Sequence, residues 1–94
     1  MIQTFADRRT ANVFNGVTER SIPPSVVKRA LSKLDRINYA AHLDDLRTPP
    51  GNRLERLSGD REGQHSIRVS RGWRICFRWQ DGDAYDVSLN NHYH

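Results

Sequence analysis

The sequence lacks the features that indicate a disulfide scaffold, a structural zinc site or a membrane span. It contains a single cysteine, Cys76, so no disulfide can form within the chain and a cysteine-based zinc site is excluded. No apolar run approaches the roughly 18 residues that a membrane-spanning helix requires. Residues 1–7 lack a basic segment followed by an apolar one, so we expect no secretory signal. These absences favour a protein of the reducing cytoplasm that does not associate with a membrane.

A metal or nucleotide site is equally poorly supported. His92 and His94 lie two residues apart at the end of the sequence, and His65 is far from both. The glycine-containing segment 59–63 is short and acidic, unlike a loop that cradles phosphates. We therefore expect no metal and no cofactor.

The chain is short and carries more positive than negative charge. Its 94 residues, 36% of them hydrophobic, suffice for one domain, residues 1–94, with a single two-layer core. Lys and Arg number 15 against 11 Asp and Glu, which gives a formal net charge of +4. This charge favours a polyanionic partner such as RNA, DNA or an acidic protein, although many basic domains bind none of these.

Residues 64–80 show the clearest pattern, which predicts a β-hairpin. Ile67 and Val69 alternate with polar residues before Ser70-Arg71-Gly72, whose glycine can adopt the positive φ of a short turn. After the turn, alternate residues are large and apolar: Trp73, Ile75, Phe77 and Trp79. Such alternation is typical of half-buried antiparallel strands. One face should therefore be core, and the opposite face should carry Arg68, Arg74, Cys76 and Arg78. Cys76 is interpreted as a small, partly buried residue.

Two helices are predicted before the hairpin. A short opening strand spans Ile2 to Phe5, and Asp7 can cap a first helix that runs to about Asn15. Its expected buried residues are Ala11 and Phe14. The second helix begins near Pro23-Pro24 with Ser21 as its cap. Its apolar stripe consists of Val27, Ala30, Leu31, Leu34, Ile37 and Ala41.

The remaining segments complete a small sheet. Residues 52–57 are predicted as a strand with a bulge or an early end, because Leu54 and Leu57 do not alternate. Asp81-Gly82 is a strong two-residue hairpin signal. Tyr85, Val87 and Leu89 should share one face of the last strand. The sequence thus predicts an α+β domain in which two N-terminal helices pack on one face of a small twisted antiparallel β-sheet.

Arginine and histidine beside this sheet suggest RNA cleavage by the neighbouring 2′-hydroxyl. That reaction needs a base, a cation at the phosphate and an acid for the leaving 5′ oxygen. The arginine fork suits phosphate oxygens, histidine suits proton transfer near neutral pH, and no metal is required. The alternative is that the arginines only keep the outer face of the sheet soluble. On the residues alone we favour that alternative.

Several motifs resemble the HigB-type toxins of the RelE/ParE toxin–antitoxin superfamily. They are Pro49 to Glu55, Leu57 to Val69, Trp73 to Phe77 and the closing Tyr93-His94, and the resemblance is closest from about Leu43 onward. It implies a RelE-like fold and a ribosome-dependent mRNA endonuclease that inhibits translation. It also implies a HigA-type helix-turn-helix antitoxin as partner, besides the ribosome and mRNA. Operator DNA would be contacted only through the antitoxin.

The resemblance also implies roles for single residues. Arg74 matches the phosphate-facing arginine of the family, His94 matches its closing histidine, and Tyr93 matches the neighbour of that histidine. Arg68 falls in the same hairpin and completes the expected catalytic set. The residues expected to bind RNA are Arg56, Arg61, Arg71 and Arg78. A surface outside this site, with Lys28, Arg29 and Arg36 of the long helix, is a candidate antitoxin contact.

Two departures from the family pattern leave alternatives open. The chain ends His-Tyr-His where members commonly end Asp-Tyr-His, and Glu55 stands near a position where some members have histidine. A carboxylate there could act as a base, or it could repel phosphate. A gyrase-poisoning toxin without nuclease activity and a catalytically weakened RNA-binding remnant are the alternative functions.

Overall fold

The computed structural model describes residues 1–91. His92, Tyr93 and His94 lie outside the described residues. Two helices come first, α1 (Arg8–Phe14) and α2 (Pro24–Tyr39). They are followed by four strands, β1 (Glu55–Arg56), β2 (Gln64–Ser70), β3 (Trp73–Gln80) and β4 (Asp83–Asn91), which form one antiparallel sheet in the order β1-β2-β3-β4. Short 3₁₀ helices at Leu43–Arg47, Pro50–Asn52 and Gly59–Arg61 connect α2, β1 and β2.

The core lies between α2 and one face of the sheet. Ile67, Ile75 and Phe77 are fully buried there, and Trp73 is 8% exposed. On α2 the buried residues are Val26, Ala30, Leu34 and Ile37, while Val27 and Leu31 are partly buried. The face of the hairpin predicted to be core is confirmed. The predicted apolar stripe of α2 differs at its two ends. Val26 is buried where Val27 was expected to be, and Ala41 lies beyond Tyr39, the last residue of the helix.

The start of α2 differs from the expectation that Ser21 caps it. The N-cap is Pro23, which has no side-chain capping bond, and the Ser21 hydroxyl donates to Glu19 instead. Pro24 lacks a backbone N–H, so the first helical position has no donor that needs a cap.

Helix α1 is capped as predicted but packs on a different side. The Thr10 N–H donates to Asp7 Oδ1 at 2.7 Å. The buried residues are Thr10 and Val13, whereas Ala11 and Phe14 are only partly buried. The reason is a bond to the sheet, in which the Leu89 N–H donates to Thr10 Oγ1 at 2.9 Å.

Asp7→Ala should lower the free energy of unfolding by about 1 kcal/mol, because the Thr10 N–H loses its capping partner. Thermal unfolding followed by circular dichroism measures the change. Asp35→Ala removes an exposed carboxylate from the wet side of α2 and serves as the control. Equal midpoints for the two variants would show that the cap does not stabilise α1.

The N-terminal segment covers the free edge of β4. The Gln3 N–H donates to the Ala84 carbonyl at 2.8 Å, and the Ala6 N–H donates to the Val87 carbonyl at 2.9 Å. The segment runs parallel to β4 through two isolated bridges at Ile2 and Phe5. The predicted opening strand is thus reduced to two isolated bridges along the edge of β4. Its backbone hydrogen bonds protect that edge from pairing with other chains.

Strand β1 is shorter than the predicted span of residues 52–57. Asn52 is fully buried, and its Nδ2 donates to the carbonyls of Leu46 and Thr48 at 3.1 and 3.2 Å. Arg53 then adopts a left-handed conformation with φ 47°. These contacts hold the chain in a turn, so pairing with β2 begins only at Glu55.

Strand β4 contains an irregularity that the alternation does not predict. Asp86 has φ 53°, and the pairing with β3 shifts between Cys76 and Arg78. A residue inserted in this way reverses the faces on one side of a bulge. Tyr85 therefore lies opposite Arg78 on the face away from the helices, and Ala84 takes the buried position.

Candidate active site

The outer face of the sheet, opposite the helices, carries its side chains in three rows that cross the strands. One row consists of Arg68, Arg74 and Asn90. The second consists of Glu55, Ser66, Cys76 and Ser88, and the third of Gln64, Arg78 and Tyr85. Directly paired residues of an antiparallel sheet have their side chains on the same face. The three arginines therefore share the outer face with Glu55.

Arg74 is held in one orientation by three neighbours. Its Nε and Nη2 donate hydrogen bonds of 2.9 and 2.7 Å to the hydroxyl oxygen of Ser66. Nη2 also donates to the Arg53 carbonyl at 3.0 Å and lies 3.8 Å from Glu55 Oε2. The Arg74 side chain is 21% exposed, so its cation reaches the surface from a packed position. The outer face thus presents a fixed guanidinium beside a carboxylate.

A layer of small polar side chains lies beneath this cation. Ser66 and Cys76 are 0% and 1% exposed, and Ser88 is 6% exposed. The Asn90 Nδ2 donates to Ser88 Oγ at 2.8 Å, as Arg74 does to Ser66. Cys76 is thus more deeply buried than the sequence indicated, and its thiol is not available to a substrate on this face.

Arg78 forms a separate cationic point on the outer face. It lies four positions beyond Arg74, which corresponds to about 13 Å along the strand. Its Nε lies 3.3 Å from Asp86 Oδ2, in the irregular part of β4. Gly63 is adjacent, because a Cβ placed there would lie 3.0 Å from Arg78 Nη1. With a φ of 90° as well, position 63 requires glycine.

Two of the other predicted RNA-binding residues lie at opposite ends of the outer face. Arg71 is exposed at the tip of the β2–β3 turn, near the row of Arg74. Arg61 donates from Nη1 to Gln64 Oε1 at 3.3 Å, which places it near the row of Arg78.

The structure does not bring Arg56 together with these arginines. Arg56 pairs with His65, one position along β1 from Glu55, so its side chain lies on the face of the helices. Partial burial lowers the pKa of His65, and the positive charge of Arg56 lowers it further. His65 also contacts Phe77, with ring centroids 6.0 Å apart, so it belongs to the edge of the core. Of the predicted catalytic residues, Arg68 and Arg74 are described in adjacent strands, whereas Tyr93 and His94 lie outside the described residues.

Residues 1–91 contain neither a metal-binding cluster nor a membrane-spanning helix. No group of three or more His, Cys, Asp or Glu in that part of the chain is arranged to hold a metal ion. None of its helices is long and apolar enough to cross a membrane.

Residues 3–92 match the family described as RelE-like toxin of type II toxin–antitoxin system HigB. The chain belongs to the HigB family of RelE-like toxins. The resemblance to HigB-type toxins seen in the sequence is therefore confirmed.

Two relatives show how far the similarity to other HigB proteins extends. Toxin HigB-1 of Vibrio cholerae serotype O1 is 42% identical over 73 residues, which are 78% of this chain and 77% of the relative. Endoribonuclease HigB of Proteus vulgaris is 31% identical over 93 residues, which are 99% of this chain and 100% of the relative. The match thus includes both helices and the whole sheet.

Solved structures agree on the fold of this HigB-family chain. A chain of the YoeB–YefM complex from Staphylococcus aureus matches with a TM-score of 0.63 at 15% identity, over 99% of both chains. The YoeB dimer from Staphylococcus aureus gives a TM-score of 0.60 at 16% identity, over 98% of both chains. The predicted RelE-like α+β fold is confirmed.

Sequence reasoning missed the groups that fix Arg74 in this HigB-family site. Ser66 alternates onto the outer face within β2, and the hairpin register places it beside Arg74. The Arg71-Gly72 turn alone would not have identified this partner, because the pairing of β2 with β3 shifts by one residue between Arg68 and Ser70. The Arg53 carbonyl had no signal in the sequence either, because its position depends on a left-handed residue in a loop.

Proposed function

We propose that this HigB-family protein is a ribosome-dependent mRNA endonuclease that inhibits translation. The observation that supports this most is the guanidinium of Arg74, fixed on the outer face within 3.8 Å of the Glu55 carboxylate. Because this cation is already held in place, it can stabilise the charge that develops on the phosphate in the transition state without first reorganising. The relative from Proteus vulgaris that spans the chain is itself named an endoribonuclease.

The proposed reaction uses the RNA as its own nucleophile. The 2′ oxygen attacks the neighbouring phosphorus, the bond from phosphorus to the 5′ oxygen breaks, and a 2′,3′-cyclic phosphate and a 5′-hydroxyl result. Arg74 stabilises the charge on the phosphate, with Arg68 as a second cation in the same row. No step requires a metal or another cofactor.

Proton transfers are assigned to two residues. Glu55 takes the 2′ proton, because its carboxylate lies beside the phosphate-binding group of Arg74. His94 donates the proton to the leaving 5′ oxygen, and Tyr93 stacks on a base. Arg61, Arg71 and Arg78 hold the RNA backbone on either side.

The proposed partners follow from the toxin–antitoxin family. A HigA-type helix-turn-helix antitoxin would neutralise the toxin in the cytoplasm, and the complex would contact operator DNA only through the antitoxin. The solvated side of α2 with Lys28 and Arg36 is the proposed contact, because both side chains are exposed and outside the outer face. Co-expression with the neighbouring reading frame should give a stable complex.

Mapping the ends of a reporter mRNA after toxin induction tests the proposed function. Cleavage on purified ribosomes should give 2′,3′-cyclic or 3′-phosphate ends. Products with a 3′-hydroxyl would overturn the mechanism. Growth arrest with intact mRNA and altered DNA supercoiling would instead indicate a gyrase poison.

Glu55→Gln tests the proposed base, because the amide has nearly the same shape but cannot take the proton. We expect cleavage on ribosomes to slow by about 10²-fold, the lower end for acid–base catalysis, because Glu55 is 58% exposed and water can partly replace it. Glu62→Gln, at an exposed position outside the rows, is the matched control. A faster Glu55→Gln enzyme would show that the carboxylate repels the phosphate.

A further inference from the structure

A cleft of about 430 Å³ lies where α2 passes the end of β2. The residues that line it include Arg29, Ser32, Lys33, Gly51, Arg68 and Ser70. Val69 also lines the cleft. Three of these seven residues are cationic, two are serines with hydroxyl donors and none is acidic, so the cleft is suited to an anion.

Lys33 is the most constrained cation of the cleft. It is partly buried, and its Nζ donates to Oδ1 of the buried Asn52. Burial lowers the pKa of Lys33, and the positive charges of Arg36 and Arg29 lower it further. An anion in the cleft would offset this mutual repulsion and favour the charged form of the lysine.

The cleft adjoins the proposed RNA-binding face. Arg68 lines the cleft and is also the direct partner of Arg74 across β2 and β3. Paired residues of an antiparallel sheet lie about 5 Å apart, so an RNA strand at Arg74 needs little length to reach the cleft. This continuity favours an RNA phosphate over an antitoxin contact, which was the role expected for Arg29 from the sequence.

We propose that the cleft formed by Arg29, Lys33 and Arg68 binds a backbone phosphate of RNA. The proposal rests on the proposed function and extends its RNA-binding surface around the edge of β2 to α2. Arginine and lysine side chains with hydroxyl groups are the usual partners of backbone phosphates, which position the nucleic acid without reading its sequence. The phosphate comes from either the mRNA or the ribosomal RNA.

Arg29→Gln is the direct test, because Arg29 is exposed and its loss removes one charge without opening the core. The probe is a fluorescein-labelled single-stranded 2′-O-methyl RNA, which keeps the phosphates but lacks the attacking hydroxyl. Anisotropy titrations of the purified protein over a salt series give the affinity and its salt dependence. We expect affinity to fall about three- to tenfold, and the slope of log K against log salt to decrease by about 0.7 for one lost phosphate contact.

Arg20→Gln is the matched control, because Arg20 is also exposed and does not line the cleft. It should leave the slope unchanged. Lys33→Gln is a second variant that keeps an amide donor for Asn52, and circular dichroism confirms that each variant is folded. Loss of affinity in both cleft variants but not in the control supports the proposal.

Other outcomes separate this proposal from the proposed function. Suppose that the wild-type protein cleaves mRNA on ribosomes, and that Arg29→Gln binds the oligonucleotide and the ribosome as tightly as Arg20→Gln does. The cleft proposal then fails, and the proposed function stands. Weakened binding to ribosomes with unchanged oligonucleotide binding supports a phosphate of ribosomal RNA. Weakened binding to the antitoxin alone overturns the proposal and makes the cleft a protein contact. If wild type cleaves no mRNA, the proposed function fails, whatever the anisotropy series shows.

Discussion

Replacing Arg74 with alanine is expected to slow mRNA cleavage by about 10²–10³-fold, the effect of losing one preorganised group that stabilises charge in a transition state. The side chain is oriented before substrate binds, because Nε and Nη2 both donate to Ser66 Oγ. Alanine removes the charge and the fixed geometry together. Cleavage of a programmed ribosome by purified toxin measures the rate.

Arg71→Ala is the matched control for Arg74, since it removes the same charge from an exposed position in the same hairpin. Its effect should be a few-fold change in RNA affinity. Folding must be checked for Arg74→Ala, because Arg74 is 21% exposed and its loss leaves the buried Ser66 hydroxyl without this partner. We expect a loss of roughly 1–2 kcal/mol in stability, more than for a freely exposed arginine. A folded Arg74→Ala protein with wild-type cleavage would exclude the proposed site.

His94→Gln should slow cleavage by about 10²–10⁴-fold, the range for removal of a general acid. Glutamine keeps a hydrogen-bond donor but cannot release a proton near neutral pH. An ordinary histidine titrates near pH 6.5. If protonated His94 is the acid, the wild-type rate should fall as pH rises through its pKa, and the variant should lose this dependence. Rates on ribosomes between about pH 5.5 and 8.5 test both effects.

His92→Gln is the control for His94, because it makes the same change two residues away. It should retain most of the activity and the wild-type pH profile. If His92→Gln loses the pH dependence and His94→Gln keeps it, the roles of the two histidines are reversed. If neither variant is impaired, the acid is another group.

The hairpin was predictable because only one face of its strands packs against the core, so apolar and polar residues alternate along the sequence. The alternation from Trp73 to Trp79 therefore gave the buried face directly, and Asp81-Gly82 gave the next turn. Asp81 and Gly82 both have positive φ, 51° and 82°, as a tight two-residue turn requires. Local chemistry and global fold agree in this region.

The rest of the site depended on interactions between segments that are distant in sequence. Nothing in Tyr85-Asp86-Val87 distinguishes a bulge from regular alternation, although aspartate tolerates the left-handed conformation better than most residues. Glu55 reaches Arg74 only because the buried Asn52 holds the preceding turn and delays the start of β1. Because β1 begins at Glu55, Glu55 lies on the outer face and Arg56, the next residue, lies on the face of the helices. The sequence therefore predicted the strands of the hairpin more reliably than the contacts between side chains that are distant in sequence.

The burial of Cys76 makes the protein convenient for fluorescence work. It is the only cysteine of the chain, and it is 1% exposed beneath the outer face. A maleimide dye should react with it only when β2, β3 and β4 separate locally, whereas an Arg20→Cys side chain should react at once. A singly labelled toxin can thus be prepared without first removing the native thiol. The slow reaction of Cys76 itself would report how often the centre of the sheet opens when the toxin is free, on RNA or with its antitoxin.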